Sequence, residues 1–454
     1  MHPVRLTRIP LPVLLLLVQL PLIANPGYFS HDELQWLARA DVPSWNALPW
    51  VSWLDFSPLQ YRPLTFNVWL VLAYTCGSTP ELMHFVFVCL GTANAWLLAR
   101  VLVAARIPER GAYLSAIVFS LTPYVVYVHG WTGTLADVLT LACGLMAARA
   151  LQGALSATNP QTAATHAAAS TLIMAAALLC KESAIVLPAL LLLVGFREIS
   201  SRRLLVTIAP AAAIVVLYLA LRLPILADSS HLDSAYAWSL RYVPARLTEY
   251  LLFPFMPPLF EIAPLLNKSA ARIAAAAGCV ALLLGALATI GWRWPFAWLI
   301  AFGVALAPVL VLAISYDHYA YLASAIAIAI CATAWPTLKR APRIAFGFVA
   351  AIAMLHGIIV MSRVHAVGVI QRNLYEDLTV DLGRSPLPLL ISAADPSDAW
   401  LLGRLLYGLD TYRGVPFGER VRFSEDVSAR PAERLLWMNR DGHLQPDASP
   451  LTPH

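Results

Sequence analysis

Charged side chains are scarce in this sequence. Asp, Glu, Lys and Arg make up 13% of its 454 residues, whereas a soluble globular protein carries about 25%. Hydrophobic residues make up 59% and the mean hydropathy is +0.68, which excludes a water-soluble fold for a chain of this length. Long apolar runs recur from residue 9 to residue 362, so the sequence predicts a polytopic membrane protein. The formal net charge of +5 therefore bears on membrane topology, and no nucleic-acid partner is expected.

Cysteine is also scarce, and internal repeats are absent. The six cysteines are scattered through apolar or membrane-edge segments, with no CxxC pair and no spacing typical of a metal site. We interpret them as small core hydrophobes. Repeats, which many transporters contain, are not found in the sequence, and its low-complexity content is limited to an Ala-rich tract at 157–177.

Eleven apolar segments are predicted to span the membrane. They lie at about residues 9–24, 81–104, 112–128, 131–151, 164–180, 183–196, 204–222, 270–291, 295–314, 319–337 and 344–362. The first resembles a signal peptide but lacks a clear A-x-A cleavage site, so we interpret it as a retained span. Arg5 and Arg8 precede it, and Lys and Arg are denser in alternate connections. This pattern predicts a cytoplasmic N-terminus and an external C-terminus, in the inner membrane of a bacterium.

Two further apolar segments are too short to cross a bilayer. Residues 61–77 and the Pro-interrupted residues 247–260 fall below the roughly 20 residues that a span needs. We interpret 61–77 as a helix in the outer interface and 247–260 as re-entrant or interfacial. The predicted fold is therefore an all-α transmembrane domain over 1–362, with interfacial helices in its first external loop, 25–80.

The last part of the sequence, 363–454, has more charge and no long apolar run. A helix near 364–382, a strand near 387–393, a helix near 397–409 and a hairpin at 435–444 are predicted there. The Asp441–Gly442 turn is the strongest local signal of the hairpin. We expect a small external, periplasmic α/β domain.

The polar stretch 28–64 combines two adjacent carboxylates, Asp32 and Glu33, with a run of Trp residues. Trp prefers the lipid headgroup layer, so this stretch suggests chemistry at a membrane surface. Side chains of adjacent helical residues diverge by about 100°, so one carboxylate would face the site. The other could bind a metal ion, a backbone amide or Arg62. The alternative is that Ser30 or Asp32 merely caps a helix that starts here.

Other polar residues also interrupt apolar segments. Asp137 lies inside a predicted span, where an ionisable residue should face a cavity or a partner. It either serves a site or orders the bundle by pairing. Lys181 and Glu182 stand between two spans, either as a tight turn or as a lipid-phosphate contact. Asp317 and His318 fall outside at the start of another span.

These residues occur in an order that resembles the GT-C membrane glycosyltransferases, in particular the O-mannosyltransferase group that carries tetratricopeptide repeats. The matching motifs are RPL at 62–64, His84 with Asn94, Pro123 with Trp131 and Asp137, Lys181 with Glu182, and Asp317, His318, Tyr319, Tyr321 and Ser324. The sequence departs from the pattern at His318, where the group has Arg, and at Tyr127, where it has an acidic residue. The tetratricopeptide tail is also absent.

The resemblance implies an enzyme that moves a sugar from a polyprenyl-phosphate donor to a hydroxyl acceptor on the external face. It implies Asp32 as the base, with Glu33 in support. Cations would stabilise the departing phosphate, and the candidates are Arg62, Lys181, Arg222 and His318. The remaining substrate-binding candidates are His84, Asp137, Glu182, Asp317, Tyr319 and Tyr321.

Three points stay open at this stage. Asp32 and Glu33 permit a divalent cation such as Mg²⁺ or Mn²⁺ without requiring one. The sugar and the acceptor are not specified. A transporter or lipid flippase that depends on Asp137, or a membrane scaffold that binds partners through 363–454, remain alternatives to the transferase.

Overall fold

The computed structural model describes residues 10–195, 201–229, 237–395, 398–406, 411–412, 415–423 and 433–446. Most of these residues are helical. The helices, in chain order, are α1 (Leu11–Val18), α2 (Leu20–Ile23), α3 (His31–Ala40), α4 (Pro63–Cys76), α5 (Pro80–Ala104), α6 (Glu109–Ser120), α7 (Pro123–Gly130), α8 (Leu135–Ser156), α9 (Pro160–Cys180), α10 (Leu187–Gly195), α11 (Ser201–Ser229), α12 (Val243–Leu252), α13 (Ala270–Ala288), α14 (Arg293–Leu310), α15 (Tyr321–Ala334), α16 (Arg340–Arg384) and α17 (Ala399–Leu406). Arg5 and Arg8, on which the predicted orientation depends, lie outside the described residues.

The predicted all-α membrane architecture is confirmed, with fewer long helices than the eleven predicted spans. In the part of the chain that the structure describes, eight helices are long and apolar enough to cross a membrane, or nine if a bent pair is counted as one. These eight membrane-spanning candidates correspond to α5, α8, α9, α11, α13, α14, α15 and α16. The bent pair is α6 and α7, at 64° to each other.

The two other predicted spans are broken into short helices. The described residues of the predicted span 9–24 contain α1 and α2, and those of the predicted span 183–196 form a 3₁₀ turn followed by α10. Pro21, Pro123 and Pro188 each lie in the first turn of the second piece of a broken segment. Proline is favoured in a first turn but interrupts a continuous helix, which is why apolar runs of sufficient length do not form single helices.

The first loop, residues 25–80, contains α3 and α4. Trp36 of α3 stacks on Phe66 of α4, with ring centroids 4.8 Å apart. The 14 residues of α4 cover about 21 Å at 1.5 Å per residue, less than the roughly 30 Å hydrocarbon core. Its length is therefore compatible with the interfacial position predicted for 61–77.

The C-terminal region contains a small mixed sheet, as predicted. The described strands of the C-terminal region are β1 (Leu389–Ala393), β2 (Thr411–Tyr412), β3 (Val415–Pro416), β4 (Val421–Phe423), β5 (Arg434–Met438) and β6 (Leu444–Gln445). The larger sheet has the order β4-β1-β5-β6, with β1 parallel to both of its neighbours. β5 and β6 form an antiparallel hairpin, and Gly442 at its turn has φ +90°, a conformation that favours glycine. The strand near 387–393, the hairpin and the described part of the helix near 397–409 are confirmed.

One helix crosses the predicted domain boundary at residue 363. α16 runs without a break for 45 residues, so the helix predicted near 364–382 is its C-terminal part. A continuous helix of this length spans about 68 Å, more than twice the hydrocarbon thickness. The membrane bundle and the C-terminal sheet are therefore joined by a rigid element.

Candidate functional site

Glu33 is a buried anchor of the first loop. Ser30 caps α3, and Glu33 completes a capping box with it. The Glu33 carboxylate accepts hydrogen bonds from the backbone N–H groups of Phe29 at 2.6 Å and Ser30 at 2.8 Å. It also accepts from the backbone N–H and the hydroxyl of Thr132, at 2.8 and 2.6 Å. Burial raises the pKa of Glu33 to about 7, although these hydrogen bonds lower it.

Asp32 has a different environment from its neighbour. Its side chain is 49% exposed, and its Oδ1 lies 3.3 Å from His31 Nε2. His31 Nδ1 lies 2.9 Å from the backbone carbonyl oxygen of Arg404 on α17. A carbonyl oxygen can only accept, so Nδ1 must carry the proton of that hydrogen bond. Asp32 is therefore the carboxylate of this pair that solvent or a substrate can reach.

Asp32 and Glu33 do not fit a shared divalent cation. The hydrogen bonds of Glu33 occupy both of its oxygens, and a metal ligand must offer a free lone pair. The described part of the chain contains no group of three or more His, Cys, Asp or Glu side chains arranged to hold a metal ion.

Four of the sequence-predicted residues form one cluster of ion pairs. Lys181 Nζ lies 2.6 Å from Asp137 Oδ1, and the two side chains are 4% and 9% exposed. Arg62 Nε donates to Glu182 Oε2 at 2.8 Å. The charge of Arg62 also acts on Asp137, which connects the two pairs electrostatically. We call these residues the ion-pair cluster; the N-cap of α4, the first turn of α8 and the end of α9 bring them together.

Arg222 supports the loop that precedes this cluster. Its guanidinium donates to the backbone carbonyls of Phe56 and of Leu59, the latter at 2.6 Å. It also lies over the ring of Tyr61, 5.6 Å from the centroid. Its side chain is fully buried. The contacts described for Arg222 thus fix the backbone just before Arg62.

Asp317, His318 and Tyr319 lie in a 3₁₀ turn that leads into α15. Asp317 is 3% exposed, and its Oδ2 accepts a long hydrogen bond, 3.3 Å, from the backbone N–H of Ile262. The ring of Tyr319 packs edge-on against His318 at 4.3 Å, and Lys181 Nζ lies 4.6 Å from the Tyr319 ring centroid. The turn therefore adjoins the ion-pair cluster.

His84 and Tyr321 are fully buried and hold helices together. His84 Nε2 lies 2.9 Å from the carbonyl oxygen of Gly27, which ties α5 to the start of the first loop. The Tyr321 hydroxyl lies 2.9 Å from His129 Nε2 and accepts from Asn94 Nδ2 at 3.2 Å. These contacts give both residues a structural role; the substrate contact expected of them stays a prediction.

Arg404, on α17, is a central residue that the sequence reasoning missed. Its guanidinium donates to the carbonyl of Phe29 at 3.0 Å, to the hydroxyl of Tyr127 at 2.9 Å and to Glu261. It also stacks on the ring of Phe29, 3.9 Å from the centroid. A single side chain from the C-terminal region thus joins the first loop, α7 and the segment after α12. Its planar fork of donors suits this task, which Lys could not perform. No signal within α17 itself marks Arg404, because its partners are far away in sequence.

An apolar cavity of about 490 Å³ lies between the helices beside this site. One end is lined by Ile107 and Pro108, from a connection that is predicted to be cytoplasmic, and by Trp335, near the end of the predicted span 319–337. The other end is lined by Tyr124 and Tyr250. The Tyr124 hydroxyl donates to the Tyr250 carbonyl at 2.8 Å, and the Tyr250 hydroxyl donates to the backbone carbonyl of the residue before Asp317 at 3.1 Å.

Comparison with known proteins gave one structural similarity. The chain is similar to the archaeal oligosaccharyltransferase AglB from Archaeoglobus fulgidus, solved in complex with an inhibitory peptide and a dolichol-phosphate. The TM-score is 0.44 and the sequence identity 10%, over 87% of this chain and 63% of that chain. No protein-family model and no curated protein matches the sequence. At this TM-score we draw no conclusion from the similarity, and the proposals below rest on the residues of this chain.

Proposed function

We propose that the protein is a membrane glycosyltransferase that moves a sugar from a polyprenyl-phosphate donor to a hydroxyl acceptor on the external face. The proposal rests mainly on the position of the apolar cavity. This long cavity between helices ends beside the 3₁₀ turn Asp317–Ala320, and that turn adjoins the buried Lys181. A polyprenyl-phosphate sugar has the same order of parts, since it joins an apolar chain to a phosphate and then to a sugar.

The cavity suits the polyprenyl chain. Its lining is almost entirely apolar, so a hydrocarbon chain would pack there and make few polar contacts. The tyrosines at the end near Asp317 provide a change from apolar to polar surroundings, where a lipid would pass from chain to headgroup. The membrane lipid around the protein would reach the cavity from the side, between the helices.

Lys181 and Arg62 are the proposed phosphate contacts. Both cations are already paired with carboxylates, at 2.6 and 2.8 Å, which holds them in place; Lys181 is buried and Arg62 is half-buried. Cations fixed before the reaction stabilise charge that develops on a leaving phosphate without reorganising. Arg222 acts indirectly in this proposal, through the backbone that it supports before Arg62.

Asp32 is the proposed base. As the acceptor oxygen bonds to the anomeric carbon, its proton passes to the Asp32 carboxylate. The bond between the anomeric carbon and the phosphate oxygen breaks, and its electron pair leaves with the phosphate. A single displacement of this kind inverts the anomeric configuration. Glu33 supports the reaction by holding α3 in place.

The orientation follows from the same proposal. The first loop and residues 363–454 would face the periplasm of a bacterium, and the N-terminus the cytoplasm. Leu54 is 83% exposed at the tip of the first loop, so Leu54→Cys should react with an impermeant maleimide added to intact spheroplasts. Labelling of Leu54→Cys only after lysis would contradict this orientation.

The test of the function is sugar transfer by the purified protein. Labelled polyprenyl-phosphate hexoses would be offered together with membrane acceptors. Asp32→Asn should lower the rate by about 10²–10⁴-fold, because general base catalysis contributes that much. Asp41→Asn is the matched control, since Asp41 is an exposed carboxylate at the other end of α3. Equal rates for Asp32→Asn and Asp41→Asn would remove Asp32 from the mechanism, and no transfer by the unmodified protein from any such donor would overturn the proposed function.

A further inference from the structure

Three buried polar atoms in or near the 3₁₀ turn Asp317–Ala320 have no hydrogen-bond partner among the described residues. They are Trp131 Nε1, Asp317 Oδ1 and His318 Nδ1. A buried polar atom without a partner costs about 1–3 kcal/mol, and buried polar groups in native proteins are nearly always paired. Several of them in one place therefore indicate a polar ligand with both donors and acceptors.

The residues that carry these three atoms are neighbours. The rings of Trp131 and His318 pack edge to face, with centroids 5.2 Å apart, and Asp317 precedes His318 in the chain. Trp131 and Asp317 also share a neighbour. The Arg404 guanidinium lies 5.6 Å from a Trp131 ring centroid, and its charge acts on Asp317.

Gly133 packs directly against the indole nitrogen. A Cβ at this position would lie 2.6 Å from Trp131 Nε1, closer than side chains approach in folded proteins. Gly133 lies in the 3₁₀ turn Thr132–Thr134, and no positive φ requires glycine there. The absence of a side chain at 133 therefore allows the close approach of the Trp131 indole.

The position of this group matches the sugar of the proposed donor. On one side, the rings of His318 and Tyr319 lead to Lys181 of the ion-pair cluster. On the other side, Trp131 packs against Phe29, 6.0 Å between centroids, which lies three residues before Asp32. The group therefore lies between the proposed phosphate contacts and the element that carries the proposed base.

We propose that Trp131, Asp317 and His318, with Gly133, form the binding site for the sugar ring of the donor. Hydroxyl groups of a hexose can accept from the indole N–H and donate to the Asp317 carboxyl. This inference rests on the proposed function, since it locates one part of that donor.

The test compares binding of two lipids to the purified protein in lipid nanodiscs. One is a polyprenyl-phosphate hexose and the other is the same polyprenyl phosphate without sugar. Trp131→Phe removes the indole N–H donor together with part of the indole ring, and Gly133→Ala places a methyl group against the indole nitrogen. Each variant should weaken binding of the hexose lipid about tenfold, as expected for the loss of a buried hydrogen bond, and should leave binding of the sugar-free lipid unchanged.

Two control variants guard against general damage. Gly285→Ala adds a methyl group where no atom lies within 4 Å, and Trp96→Phe changes a Trp that is 42% exposed on α5. Both should bind the two lipids like the unmodified protein.

The outcomes separate this inference from the proposed function. Unmodified protein that binds the hexose lipid better than the sugar-free lipid, but transfers no sugar, would overturn the function and keep the binding site. Trp131→Phe and Gly133→Ala variants that bind the hexose lipid normally would overturn the binding site while transfer continues. Equal binding of both lipids by the unmodified protein would also overturn it.

Discussion

Asp32 and Glu33 are neighbours in one helix, yet their environments are opposite. Glu33 is buried and accepts four hydrogen bonds, whereas Asp32 is half-exposed beside His31. The same contrast separates Asp137, paired with Lys181, from Asp317, which keeps an oxygen without a partner among the described residues. The difference divides the carboxylates near the site into those that hold the fold and those that are available to a substrate.

The largest expected effect comes from breaking the Asp137–Lys181 pair. Asp137→Leu leaves the Lys181 ammonium buried without its partner, which should lower the free energy of unfolding by about 3–5 kcal/mol. Thermal unfolding in detergent would measure this loss. The double variant Asp137→Leu with Lys181→Met should recover most of the stability, because no isolated charge remains. If Asp137→Leu alone were as stable as the unmodified protein, Asp137 would belong with the available carboxylates.

A smaller effect is expected for Glu33→Gln. The Gln amide keeps one oxygen that can accept hydrogen bonds, but its NH₂ group replaces the other carboxylate oxygen. That NH₂ group would face a donor of Phe29, Ser30 or Thr132, which could then no longer donate. One buried donor left unpaired costs about 1–3 kcal/mol, so we expect a loss of about 2 kcal/mol in the same unfolding measurement. Asp32→Asn is the matched control and should change stability by less than about 0.5 kcal/mol. Equal losses for the two variants would erase the distinction between the neighbours.

The smallest expected effect concerns pH. The pKa of Glu33 is raised from 4.5 to about 7 in the folded protein, so the folded state holds this proton more tightly than the unfolded chain. Its contribution to stability is fully present below pH 4.5 and is lost as the pH rises through 7. Between pH 6 and pH 8 the protein should lose about 1 kcal/mol from this group.

Glu33→Gln provides the control for the pH experiment, because it carries no titrating group at this position. Its unfolding free energy should vary less between pH 6 and pH 8 than that of the unmodified protein. The same pH dependence in both proteins would assign the effect to another group and leave Glu33 ionised throughout.

The sequence predicted the membrane architecture, and it singled out polar residues that the structure brings together. Apolar length indicated the eight long helices, and the polar residues Lys181 and Glu182 stood out because they interrupt an apolar run. Because a buried charge is costly in a membrane, Asp137 was expected either to serve a site or to pair with another residue. The structure shows the pair with Lys181. The capping alternative at Ser30 is also confirmed, because the capping signal is local.

The remainder depended on contacts between distant residues. Whether Asp32 or Glu33 is buried depends on Thr132, which lies 99 residues from Glu33. The role of Gly133 depends on the direction of the Trp131 indole, and no local pattern specifies that direction. The division of three predicted spans into shorter helices was not predicted. Mean hydropathy is calculated over a window of residues, so it does not show where a proline divides a helix.

Arg404 has a consequence for the order of assembly. It is synthesised after α16, the last of the long helices, and until it docks, the carboxylate of Glu261 and the carbonyl of Phe29 lack its guanidinium. The segments that it joins can therefore reach their final arrangement only once nearly the whole chain has left the ribosome and folded. A partly made protein would already be in the membrane without the contacts of Arg404, so in the proposed transferase sugar transfer would begin only after α17 has docked. Chains halted before α17 should accordingly integrate into membranes and show no transfer, and transfer by such chains would show that Arg404 is dispensable.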